Sequence, residues 1–160
     1  STTPEMCTRW YQLGAFSPFA RNHNVDNAVD QEPWAFYEKA RNDNDKNSGK
    51  TLIDSARDSM KLRYSILKWY YSLFLAQRGI GGVFKPLSFE FPDEEILYKK
   101  EHNQYNEEQF LLGSGLMVIP GLEKGRESKK GYFPKATWFD YFNGGMIMPK
   151  AEPQREITIQ

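Results

Sequence analysis

The chain has 160 residues, enough for one ordinary domain with a core of its own, and its 21 Lys and Arg balance 21 Asp and Glu. A formal charge of zero argues against nucleic acid or an anionic membrane as partner, since both call for a basic face. The aromatic share of 15% suits a thick aromatic core or sugar-stacking faces, and the single cysteine, Cys7, leaves no internal disulfide. Nor does any apolar run approach the roughly 20 residues that cross a bilayer, and the opening STTPEM has neither the basic nor the apolar region of a signal peptide. Zinc-spaced Cys and His, a P-loop lysine and an EF-hand run are all missing, so no metal or cofactor is expected.

In chain order, Ser1 to Pro4 supply a cap and a first-turn proline, with Glu5 near the positive helix end. Met6, Trp10 and Leu13, with Cys7 one step off, predict one apolar helix face, on which Trp10 reads as core. Cys7 reads as a small buried hydrophobe rather than a nucleophile. Gly14 reads as the helix C-cap, and Ala15 to Phe19 predict a short buried strand closed by Arg21, Asn22, His23 and Asn24. A helix, a strand, then polar residues at the strand's carboxyl end is the order in which an α/β barrel builds an active-site rim.

Val25 to Gln31 reads as loop, and Glu38 to Lys50, almost without apolar residues, as a solvated loop or helix entry. The longest predicted helix is Thr51 to Arg78. Ile53, Ala56, Met60, Tyr64, Leu67, Tyr71 and Phe74 make its stripe, and Leu52, Ile66, Tyr70 and Leu73 widen it enough to suggest burial on two sides. Gly79, Gly81 and Gly82 stop it. Leu87, Phe89 and Phe91 then alternate with Ser88, Glu90 and Pro92 and predict a half-buried strand. Asp93 to Glu108 is charged, and His102 within it reads as a surface histidine. Strands are predicted at Phe110 to Gly113 and Leu116 to Pro120, a hairpin at Gly131 to Pro134 with Thr137 to Phe142, and a last strand at Arg155 to Gln160 that reads as cut off in mid-domain.

Arg9, Trp10, Gln12, Leu13, Gly14, Ala15, Phe16, Pro18, Phe19, Arg21, His23 and Asn24 fit the pattern RWxQLGAFxPFxRxHN, and through it the chain resembles glycoside hydrolase family 31, the large α-glucosidase family. The likeness continues in Gln31 to Trp34, in FLLG at Phe110 to Gly113 and in Trp138 to Tyr141, and covers roughly residues 5 to 145. PLSFEFP at Pro86 to Pro92 resembles RPLFFEFP, but Lys85 stands where arginine is usual and cannot reproduce a two-pronged guanidinium contact.

The resemblance implies the C-terminal portion of a (β/α)8 TIM barrel in residues 1–82, its last helices and strand. The start of a proximal all-β sandwich follows in residues 83–160. It implies part of a retaining α-glucosidase that removes terminal α-linked glucose from oligosaccharides. Such a reaction needs two carboxyl groups about 5 to 5.5 Å apart. In the family these are aspartates on earlier barrel strands, and the Trp-x-Asp-Met-Asn nucleophile motif is absent here. The catalytic pair is therefore expected upstream, with the isolated chain inactive and the remainder of the enzyme as its partner; Asp26, Asp30 and Glu32 read as loop carboxylates. His23 is the expected substrate contact, Arg21 and Asn24 the expected braces of its loop, and Trp34 a further candidate at the pocket mouth. Family habit places such enzymes in the lysosome, the endoplasmic reticulum lumen or outside the cell. The rival readings are a non-catalytic relative serving as a structural or interaction subunit, and a small lectin-like module.

Overall fold

The structure, a computed structural model, describes residues 2–42, 46–78, 80–147 and 154–158. It divides into two compact units, Ser1–Phe84 and Lys85–Gln160, and mixes helix with strand.

The first unit is helical: α1 (Pro4–Gly14), α2 (Pro33–Asn42) and α3 (Lys46–Gln77), with α1 and α2 both packed on α3. Thr3 caps α1 by accepting from the Met6 amide, and Pro4 occupies the first turn, where its missing N–H costs nothing. Cys7 and Phe36 meet the fully buried Leu52 of α3, with Tyr11 packed against them. Helix thus runs through much of the polar stretch after Glu38, because Glu, Lys, Ala and Arg favour helix without needing a core at every turn.

Two helices bury a different face from the one their periodicity suggests. In α3 the buried positions are Leu52, Ala56, Ser59, Ile66, Tyr70 and Leu73, while Tyr64, Leu67, Tyr71 and Phe74 are exposed. In α1, Cys7 is buried and Trp10, expected in the core, faces out with Met6. Each helix is apolar on two adjacent faces, and the unit supplies partners for one.

Residues 15–19, expected as a strand, form a turn instead. The amides of Phe16 and Ser17 donate back to the Leu13 and Gly14 carbonyls, and Pro18 has no amide to offer a ladder. A strand exists only beside another, and no described residue before Phe84 forms one. Gly14 closes the helix as a helical residue, with Ala15 at the cap in ordinary αR geometry. At the end of α3 it is Arg78 that turns left-handed, at φ 46°; of the expected stop glycines, Gly79 lies outside the described residues.

In the second unit, short 3-10 turns and the single-turn α4 (Gln104–Glu107) surround small sheets. A two-residue strand, β1 (Phe84–Lys85), holds the boundary; β2 (Phe110–Leu112) and β3 (Leu116–Val118) pair antiparallel across Gly113, whose φ of 59° suits the reversal. Leu87–Phe89 forms a 3-10 turn, not a strand, with the Phe91 amide donating to the Leu87 carbonyl. Leu87 and Phe91 are four residues apart, so they share one side of a helical turn as readily as one face of a strand, and Phe89 is left exposed. The core joins Leu87, Leu97, Tyr105, Leu111 and Tyr132.

The expected hairpin of residues 131–142 does not form. β4 (Ser128–Tyr132) pairs antiparallel with β7 (Gln154–Thr158), and β5 (Trp138–Phe139) with β6 (Met146–Ile147). Pro134 interrupts the intervening segment and its carbonyl accepts from the Trp138 indole. His102 is half-buried rather than a surface residue: its ring stacks on Tyr105, which stacks on Tyr132.

Candidate functional site

The segment between α1 and α2 carries Arg21, His23 and Asn24 and contains no regular element, so side chains hold it. Asn24 Nδ2 donates to the Val29 carbonyl at 2.9 Å, while its Oδ1 accepts from the Val25 amide and from the Gln31 side chain. This closes the loop 24–31, in which Asn27 adopts a φ of 62°, a conformation asparagine tolerates. Asn22 donates to the Tyr11 hydroxyl at 2.9 Å and to the Gln31 carbonyl at 3.1 Å, which ties the loop to α1. Cys7 donates its thiol to the same carbonyl, and burial pushes that thiol's pKa up, so it is a packing residue with a weak hydrogen bond and not a poised nucleophile.

His23 stands between these two asparagines with an exposed ring, and Arg21 is exposed beside it; neither has a hydrogen bond or ion pair among the described residues. Asp26 and Asp30 are exposed as well.

Trp34 opens α2 and is 63% exposed. With Tyr11, Pro33, Ile53, Ala56, Arg57 and Met60 it lines an open, apolar depression of about 300 Å³. Only Arg57, already paired with Asp54 at 2.7 Å, brings charge there.

On the other side of the turn, Arg63 of α3 reaches the carbonyls of Gly14, Ala15, Ser17 and Pro18. Its position in the sequence carries one hint: it falls in the buried phase of α3, between Ser59 and Ile66. Backbone acceptors leave no pattern of their own, so its role is invisible before the fold is known. Among the described residues no group of three or more His, Cys, Asp or Glu is placed to hold a metal ion, and no helix is long and apolar enough to cross a membrane.

In the second unit Lys85 pairs with Glu90 across the 3-10 turn. The lysine holds that carboxyl below its ordinary value, against a smaller opposing effect of burial.

Residues 1–73 match the family model described as the glycosyl hydrolases family 31 TIM-barrel domain, and residues 81–159 the one described as the glycosyl hydrolase family 31 C-terminal domain. The chain belongs to glycoside hydrolase family 31. An alpha-glucosidase of Mucor javanicus is 38% identical over 159 residues, covering 99% of this chain and 16% of its own length. The lysosomal acid alpha-glucosidase of Tetrahymena pyriformis is 41% identical over 122 residues, 76% of this chain and 12% of its own. Among solved structures, a family 31 dextranase of Flavobacterium johnsoniae complexed with glucose superposes with a TM-score of 0.65 at 29% identity, covering 95% of this chain and 16% of that one. The cycloalternan-degrading enzyme of Trueperella pyogenes gives 0.74 at 18% identity over 96% of this chain and 20% of that one, a likeness of fold. This family 31 chain therefore spans only 12% to 20% of the length of these four proteins.

Proposed function

We propose that the chain is the end of the catalytic barrel and the start of the proximal β-sandwich of a retaining α-glucosidase, with residues 1–82 belonging to the first and 83–160 to the second. In this reading the segment supplies His23 to the sugar, while the two catalytic carboxylates lie in sequence outside it. The 160 residues contain no Trp-x-Asp-Met-Asn run.

The observation that carries the reading is the state of His23. Both neighbours spend their side chains on Tyr11 and on backbone carbonyls, while the imidazole is left exposed. Fixing a segment on either side of one free ring favours a ligand contact over a packing role. An imidazole N–H so held donates to a glucose hydroxyl, and the contact helps turnover to the extent that it tightens as the ring flattens toward the oxocarbenium-like transition state. The bare apolar faces of α1 and α3, with Trp10, Tyr64, Leu67, Tyr71 and Phe74, are where the rest of the enzyme packs; left open they would invite association.

The test is His23→Ala in the native protein, assayed on an α-glucoside. A fall in kcat/KM on the order of 10- to 100-fold is expected, from loss of a buried polar contact to substrate, with circular dichroism and melting unchanged. Wild-type turnover would defeat the assignment.

A further inference from the structure

Arg63 lies in the buried phase of α3, where a guanidinium without partners is costly. Among the described residues no carboxylate pairs with it. Its charge is met by backbone dipoles instead: Nη1 donates to the carbonyls of Gly14 at 3.4 Å, Ala15 at 3.1 Å and Ser17 at 2.5 Å, and Nη2 to Pro18 at 3.2 Å. Its Cζ also sits 5.7 Å from the centre of the Tyr70 ring. The first two acceptors belong to the carboxyl end of α1, where unpaired carbonyls and the helix dipole favour a cation. The other two lie in the turn that follows.

These contacts fall at one end of the segment that presents His23. The other end is laced by Asn22 and Asn24 to Tyr11, Val29 and Gln31. Between them, Phe19, Ala20 and Arg21 are exposed and have no hydrogen bond among the described residues. The path of the backbone from α1 to His23 therefore depends on two anchors. The entry anchor is a single side chain, Arg63, far along the chain from His23.

We infer that Arg63 is a positioning residue for His23: by gripping four carbonyls at the end of α1 and in the turn after it, Arg63 sets where the imidazole stands against the sugar. The inference rests on the reading of His23 as a sugar contact. A planar fork of donors suits four carbonyls spread along a turn; a lysine ammonium, a point charge on a flexible stem, cannot span them.

A double-variant cycle in the native protein tests this, with Arg63→Lys, His23→Ala and the pair assayed on an α-glucoside. Misplacing a contacting group by about 1 Å costs on the order of 100-fold, so Arg63→Lys is expected to lower kcat/KM by roughly 10- to 100-fold. In the His23→Ala background the same change is expected to cost less than about twofold, because there is no imidazole left to misplace. Added guanidinium should restore activity to Arg63→Ala when His23 is present and fail to do so when it is absent. Losses that multiply in the double variant would overturn the positioning role and leave the glucosidase reading standing. A glucosidase indifferent to His23→Ala would instead overturn the reading beneath it. Amide exchange gives a check independent of activity, and Arg63→Gln, which keeps two planar donors, serves where Arg63→Lys does not accumulate folded. Faster exchange is expected at Ala15, Phe16 and Ser17, whose amides are bonded in the clamped turn, and unchanged exchange there would overturn the clamp.

Discussion

Gln109 offers a direct test of how the second unit is held. Its side chain is 1% exposed, and it treats Tyr132 as a neighbouring strand would: Nε2 donates to the Tyr132 carbonyl at 2.9 Å and Oε1 accepts from the Tyr132 amide at 2.8 Å. Both groups of Tyr132 are thereby taken on one side, away from Gln154, its partner in β7. Gln109→Leu keeps the volume and strands both backbone groups in a buried place. Each unpaired group costs about 1–3 kcal/mol, which sums to roughly 2–6 kcal/mol. The gain from burying a leucine offsets part of this, so a net loss of about 3 kcal/mol is expected. Urea denaturation gives the free energy, and amide exchange at Tyr132 shows its origin. A variant within about 0.5 kcal/mol of wild type, with the Tyr132 amide still protected, would refute the reasoning.

Leu52→Ala removes a fully buried side chain from between Cys7 and Phe36 and should cost about 3 kcal/mol by thermal or chemical melting. Phe74 is 54% exposed on the bare face of α3; if the remainder of the enzyme covers that face, Phe74→Ala in the native protein should cost about 3 kcal/mol, against less than about 0.5 kcal/mol if it does not. The Lys85–Glu90 pair stabilises by holding the Glu90 carboxyl below its ordinary 4.5, chiefly through the lysine hydrogen bond, so its contribution is present above that value and lost as pH falls through the lowered one. Glu90→Gln should therefore cost about 1 kcal/mol at neutral pH and nothing in strong acid, read by melting temperature against pH.

Local signals showed well in the sequence. Thr3 and Pro4 marked the start of α1, and Gly113 marked the reversal between β2 and β3. What failed was the choice between adjacent faces: α3 carries apolar residues in two neighbouring phases, and only the positions of α1 and α2 decide which is buried. The pairing of β4 with β7 joins segments separated by β5 and β6, which no local pattern encodes. Of the candidate site, the sequence singled out His23 and Asn24 only through the family pattern, and the structure adds the bonds by which Asn22 and Asn24 hold their loop. The role of Arg63 was not legible because its partners are carbonyls, which every residue has.

The measurement that bears most directly on the account is the anomeric form of the first sugar released when the native protein is given an α-glucoside, followed by proton NMR before mutarotation. A retaining α-glucosidase releases α-glucose, and that is the predicted result. Release of β-glucose, or no hydrolysis by the intact protein, would contradict it.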